Sequence, residues 1–498
     1  MNFSASTIDS NRHDGVLMLI SAFLVLGFVV FTIDQELQYG FYEWTSSQFL
    51  NAIHYYQLYG PSALSYKASL MGGVNPDAHS YGNMPTYHFL LSYLLIKYGV
   101  ITYSYFQLQF VTVAIFTALI LFSTKYVHNI TGSRNTAILY LVAILVNTGI
   151  SYTYKDLWWE SYTLFFSYVP LLYLLSRTDG RIIPLVLGAV QFIAVFDAVL
   201  FVAVSYIALS WRQERRIGRS ALYYALGSVI GVVILFAFRA GTGQGNVSGG
   251  LLLQNIIEID KSDLFRFIYF YFADPQVVIV WVFVILTAIA TKDMLFPASI
   301  VAASLVWTIV FPAHGLHHAY HYSAVMVFGL TMYIFLAKHK RQNIKYIVVL
   351  LYILTAGFAS VSLNNDSYKV DYASYKDVSL YVDESSIVGT NIYSYPFSYY
   401  ANRAFKYVTA DAIDAQSNSV LVVDDFKQAE KGVFLVYSRI KLMLDMLGVE
   451  VPEYLSNTYH GREKKFKQGV EELKYKLLEN GYHVVWENKS FDAVLYGH

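Results

Sequence analysis

Carboxylates stand where the first long apolar run stops. Asp34 and Glu36, in Thr32-Ile33-Asp34-Gln35-Glu36, directly follow the apolar stretch 15–33. An acid at the edge of such a run is rare enough to be a functional candidate. Partial desolvation there raises its pKa and makes it a better base for a hydroxyl proton. A second acidic set lies in Tyr152-Thr153-Tyr154-Lys155-Asp156-Leu157-Trp158-Trp159-Glu160, and Asp197 interrupts a later apolar stretch. Four of the 13 histidines, His314, His317, His318 and His321, fall within eight positions. His317 and His321 would share a helix face, which is metal-ligand spacing. The same imidazoles suit a phosphate or a sugar held by hydrogen bonds. Lys67, His88, Lys155 and Arg239 complete the set of groups able to bind an anionic or sugar-bearing substrate. Each candidate also has an ordinary reading, as a headgroup-solvated acid, an aromatic belt with incidental charge, or a snorkelling cation.

Residues of this kind need elements to hold them, and composition dictates which. The 498 residues carry 35 Lys+Arg and 35 Asp+Glu, with 56% hydrophobic and only 14% charged residues. Soluble chains carry about 25% charged residues, and the mean hydropathy here is +0.42. That composition excludes a soluble enzyme, a disordered protein and a nucleic-acid binder. The absence of cysteine excludes disulfides, thiolate metal sites and cysteine nucleophiles. Apolar runs near spanning length lie at 15–33, 103–124, 136–150, 161–176, 182–196, 198–211, 220–238, 277–291, 295–311, 320–337 and 344–361. The chain therefore reads as a polytopic α-helical membrane protein with about eleven transmembrane helices.

Orientation follows from the loops. Six basic clusters fall on alternate loops: Arg12, Lys125/Arg134, Arg177/Arg181, Arg212/Arg215/Arg216/Arg219, Lys292, and Lys338/Lys340/Arg341/Lys345. Basic excess marks the cytoplasmic side, so the N-terminus is expected inside and the C-terminal tail outside. The first outer loop, 34–102, is long for an unstructured connection and is expected to be folded. Its segments 41–59 and 86–98 have the pattern of helices lying on a membrane surface. Residues 366–498 have ordinary soluble composition. Expected strands at 420–423 and 483–486, with amphipathic helices at 434–447 and 464–479, indicate an extracytoplasmic α/β domain. The division expected from sequence is a membrane part at 1–361, including the outer loop, and an accessory domain at 366–498.

The order of these features resembles the GT-C glycosyltransferases, membrane enzymes that use polyprenyl-phosphate sugars, and within them the protein O-mannosyltransferase and lipid-A aminoarabinose transferase branch. The matching residues are Asp34-Gln35-Glu36, the segment from Ala52 to Gly60, Pro85 to Leu90, Asp156, and His317 to Tyr322. They span roughly 1–361, and the tail is additional. The resemblance implies inverting transfer of a sugar to an acceptor hydroxyl, with Asp34 as base and Glu36 and Asp156 beside it. Lys67, His88, Lys155, Arg239, His317, His318 and His321 would bind the donor phosphate or sugar. No cofactor is required by the residues themselves; a divalent cation (magnesium, manganese or zinc) at Asp34 and Asp156 is the open alternative. The implied partners are the polyprenyl-phosphate sugar, a glycan, lipid or protein acceptor, and membrane lipids, with no nucleic acid. A bacterial inner membrane is the expected location. A transporter or flippase, and an O-antigen polymerase or ligase, are the competing classes. Transporters carry midplane sites in repeated halves, and no repeat is visible here.

Overall fold

Helices dominate the chain. The computed structural model describes residues 11–32, 43–64, 68–69, 80–81, 87–147, 157, 171, 181–194, 199, 201–207, 218–241, 264, 267–310, 316, 319–337, 343–363, 372–383, 385–392, 395–412, 418–446, 448–489 and 492–498. In chain order the helices are α1 (Asn11–Thr32), α2 (Glu43–Tyr59), α3 (Tyr87–Lys97), α4 (Tyr105–Thr131), α5 (Arg134–Leu145) and α6 (Ile182–Ala194). Next come α7 (Arg219–Gly241), α8 (Pro275–Thr291), α9 (Leu295–Val310), α10 (Ala319–Leu336) and α11 (Asn343–Leu363). The tail adds α12 (Tyr395–Ala401), α13 (Phe426–Ala429), α14 (Lys431–Met446) and α15 (Glu453–Glu479). The strands are β1 (Ala68–Ser69), β2 (Ser80–Tyr81), β3 (Ile387–Thr390), β4 (Ala404–Tyr407), β5 (Ser419–Val423), β6 (His483–Asn488) and β7 (Ala493–Gly497). Two units result: Met1–Ile33 with Phe106–Phe358, and Asp34–Tyr105 with Ala359–His498.

The first unit is built for lipid. Helix α1 buries Leu17, Ser21, Val25 and Val29 but exposes Leu19, Phe23, Leu26 and Val30 on another flank. Helix α7 likewise buries Ala221, Tyr224 and Ser228 while exposing Leu222, Leu226, Val229, Val233 and Phe236. Continuous bare apolar stripes at helical spacing are unfavourable in water and are what a bilayer-facing helix presents. Two helices, Tyr105–Thr131 and Arg219–Phe238, are long and apolar enough to span a membrane, and seven shorter apolar stretches accompany them. Helices α5, α6, α8, α9, α10 and α11 match the apolar runs from 136, 182, 277, 295, 320 and 344. The run at 161–176 lies largely outside the described residues. The count of eleven spans thus rests on the sequence, with two matched at full spanning length among the described residues.

Packing within this unit follows from small residues and a few buried polar ones. A Cβ on Gly188 would lie 2.1 Å from the Tyr224 carbonyl oxygen, and one on Gly227 would lie 1.9 Å from that of Leu185. Only glycine lets α6 and α7 approach so closely, as in small-residue helix contacts in membranes. Helix α10 is buried at every described side chain from 322 to 336, the signature of a central helix. Lys345 Nζ donates to Thr136 Oγ1 at 3.5 Å, joining the first turns of α5 and α11. Gln276 Nε2 donates to the carbonyls of Val146 at 2.9 Å and Tyr352 at 3.1 Å, joining the start of α8 to the end of α5. Tyr333, near the end of α10, donates its hydroxyl to the Asp293 carbonyl at 2.7 Å, in the turn that follows α8. Helices α5 and α11 therefore run one way, and α8 and α10 run the other way relative to each turn they meet.

The second unit groups residues of the first outer loop with the tail. Helix α2 packs against both α12 and α3. Phe49 stacks on Phe89 at 5.0 Å and Tyr56 meets Tyr93 at 6.2 Å, closing α2 on α3. The tail sheet has the order β4-β3-β5-β7-β6. Strands β4, β3 and β5 are parallel, whereas β7 pairs antiparallel with β5 and β6. Val408, Val420, Val422 and Tyr496 pack with Val470, Leu473 and Leu477 of α15 in one core. The β3–β5 ladder ends at Thr390 and Leu421. Beyond it the Asn391 amide supplies the next rung, donating to the Val423 carbonyl and accepting from the Val423 N–H, each at 2.8 Å.

Candidate functional site

Several helix termini gather at one end of the first unit. The sequence feature that marks this end is Asp274-Pro275. Asp274 caps α8 by accepting from the Gln276 N–H at 3.0 Å, and Pro275 follows at the first helical position, where its missing N–H costs nothing. The Tyr269 hydroxyl donates to the Asp274 carboxylate at 3.5 Å. Both side chains are buried. Tyr269–Ala273 forms a π-helical turn, a rare geometry often found at functional sites. The Tyr271 hydroxyl donates to the Ser304 carbonyl of α9 at 3.2 Å, and Trp281 Nε1 donates to the Tyr271 carbonyl at 2.9 Å.

The direction of the helices then places the start of α10. Tyr333 binds the turn after α8, so the first turn of α10, about 18 Å back along its axis, lies at the end where α8 begins. His321 is on that first turn; His314, His317 and His318 lie outside the described residues, in the segment joining α9 to α10. The same end holds Val146, at the close of α5, after which the chain continues toward Lys155 and Asp156. Those two residues are themselves outside the described ones, as are Asp34, Glu36, Lys67 and Asp197. His88 is the second residue of α3, and Arg239 lies in the last turn of α7; their side chains are not described. Among the described residues, Asp274 at the start of α8, the end of α5 and the start of α10 lie at this one end of the unit.

The sequence pattern does not single out Asp274, because 239–276 reads as a loop. An Asp-Pro pair directly before an apolar run is the helix-start signal that would have found it. Among the described residues no three His, Asp or Glu side chains converge on a metal-sized site.

No family model matches the chain, and no curated protein matches it. Among solved structures, the chain is similar to the arabinofuranosyltransferase AftD from mycobacteria, determined by single-particle cryo-electron microscopy, at 14% identity and a TM-score of 0.47. The likeness covers 88% of this chain and 37% of that one. The chain spans just over a third of the length of that protein.

Proposed function

We propose that this chain is a membrane glycosyltransferase that moves a sugar from a polyprenyl-phosphate donor to an acceptor hydroxyl at the outer membrane face. The observation that carries this reading is the segregation of charge. Among the described residues of the first unit, Asp, Glu, Lys and Arg keep to the ends of apolar helices, whose flanks are bare to lipid. Such a body suits a substrate with a lipid tail in the bilayer and a charged, sugar-bearing head at its surface. The order of Asp34-Gln35-Glu36, Pro85 to Leu90, Asp156 and His317 to Tyr322 supports the GT-C assignment.

In the proposed step the Asp34 carboxylate accepts the acceptor hydroxyl proton while that oxygen attacks C1 of the sugar. The bond from C1 to the phosphate oxygen breaks, the configuration at C1 inverts, and the polyprenyl phosphate leaves as an anion. Cations and hydrogen-bond donors stabilise that developing charge; Lys67 and His88 serve there, with Lys155, Arg239, His317, His318 and His321. Glu36 and Asp156 assist as secondary acids. Helices α5 and α11 running in one direction, with α8 starting where α5 ends, agree with the alternation of basic loops. The proposal includes a cytoplasmic N-terminus and an extracytoplasmic tail in a bacterial plasma membrane. Deleting the gene and measuring polyprenyl-phosphate sugars by mass spectrometry tests the reading. One such sugar should accumulate; an unchanged profile overturns it.

A further inference from the structure

Helix α2, which packs against α12 of the tail, carries His54. The imidazole is half-buried, and among the described residues neither ring nitrogen has a hydrogen-bond partner. Its ring lies 6.1 Å from that of Tyr103 and 6.0 Å from that of Tyr55. Tyr103 is fixed by donating its hydroxyl to the Leu50 carbonyl at 3.0 Å. Tyr399 is on α12, which packs on α2, and its ring meets that of Tyr400 edge-on at 5.0 Å. Tyr59 stacks on Tyr55 at 6.1 Å and is 43% exposed. Lys376 lies over the Tyr400 ring at 5.8 Å.

These groups come from two stretches of chain far apart in sequence, the outer loop and the tail, held in one unit. Rings of Tyr offer an apolar face and a polar hydroxyl together, and an imidazole with open nitrogens can donate from one and accept at the other. A sugar ring presents the complementary chemistry: a C–H face for stacking and hydroxyls at its rim. We propose that His54, Tyr103 and Tyr399 form a subsite for a neutral glycan, the acceptor of the transfer reaction, shared between the outer loop and the tail. Burial holds the His54 imidazole below the usual histidine range, so it is neutral at neutral pH, which favours an uncharged sugar over a phosphate. The proposal rests on the glycosyltransferase reading for the role of the glycan but not for its binding. It gives the tail a part in acceptor recognition.

Saturation-transfer NMR on the full-length protein in detergent tests this, with maltotriose and mannotriose as probes and inorganic phosphate as the anionic control. Wild type should transfer saturation to the ring protons of at least one trisaccharide. His54→Ala and Tyr399→Ala should each weaken that binding by about tenfold, the loss of roughly one good contact. Tyr407→Ala, at an exposed tyrosine of β4, should leave it unchanged. His54→Gln keeps a donor and an acceptor and should restore part of the affinity; it also reports if His54→Ala misfolds. Sugar binding is read here without donor or transfer, which separates this subsite from the catalytic reading. Phosphate binding in place of sugar, no sugar signal, or equal signals from wild type and both alanine variants overturns the proposal.

Discussion

Asn391→Ala tests how the tail sheet is held together. The two backbone groups of Val423 that face β3 both rely on the Asn391 amide, at 2.8 Å each, because the β3 ladder has already ended. Val423 is fully buried, so water cannot replace the lost partner. Two hydrogen bonds contribute about 0.5–1.5 kcal/mol net apiece, and leaving buried polar groups unpaired raises the loss. An expected total is about 3 kcal/mol. At about 1.4 kcal/mol per decade this is roughly a hundredfold in the opening equilibrium. For a body of 150–250 residues it is also a drop of about 6–12 °C in Tm. Hydrogen exchange read by mass spectrometry on a peptide covering 419–425 should accelerate by about that factor, while α15 peptides change less. Asn391→Asp keeps the acceptor but turns an oxygen toward the Val423 carbonyl, so it should lose at least as much at neutral pH. Exchange within about threefold of wild type in Asn391→Ala would refute the assignment of the rung to this side chain, since even the weakest pair of bonds costs about 1 kcal/mol.

Three further outcomes follow from other parts of the fold. Gly227→Leu, whose Cβ would sit 1.9 Å from the Leu185 carbonyl oxygen, should cost about 1–3 kcal/mol or more by overpacking; Gly15→Ala meets nothing within 4 Å and should be neutral in the same detergent melting assay. Burial pulls the Lys474 ammonium down, but its bonds to Asp424 and Glu471 outweigh that and hold it above the usual lysine range. Its contribution is therefore fully present below the ordinary lysine pKa and is lost as pH rises through the raised one, so the alkaline limb of tail unfolding should soften in wild type and be absent in Lys474→Met. Alkaline phosphatase fused at the C-terminus should be active and a fluorescent protein there dark; the opposite pair would move the tail inside and show a span miscounted.

Local pattern made much of this fold legible. Val420 to Val423 is wholly apolar and bounded by polar residues, and it forms β5 between two strands. The expected helices at 434–447 and 464–479 exist as α14 and α15, but α15 begins at Glu453. Its first half, with Ser456, Asn457, Thr458 and Gly461, has weak helix propensity and is stabilised by packing of Tyr459 on Phe426 and Tyr437, a tertiary effect. Strands β3 and β4 are four residues each, too short for alternation to show. The pairing of α2 with α12 was invisible because it joins residues more than 300 positions apart, which periodicity does not encode. Neither His54 nor Tyr399 has a neighbour in sequence that signals the other. The histidine cluster and the acids at the edges of apolar runs are read from spacing, and most of them lie outside the described residues.

Transfer itself is the most direct test of the central proposal. Wild type and Asp34→Asn, reconstituted into liposomes with polyprenyl-phosphate sugars and an extract of cell-envelope acceptors, should be compared by the appearance of free polyprenyl phosphate. Wild type should release it in step with glycosylated acceptor, and Asp34→Asn, with the same melting temperature, should release none. Equal release by both proteins would remove Asp34 from the chemistry, and release by neither across the donor series would contradict the glycosyltransferase assignment.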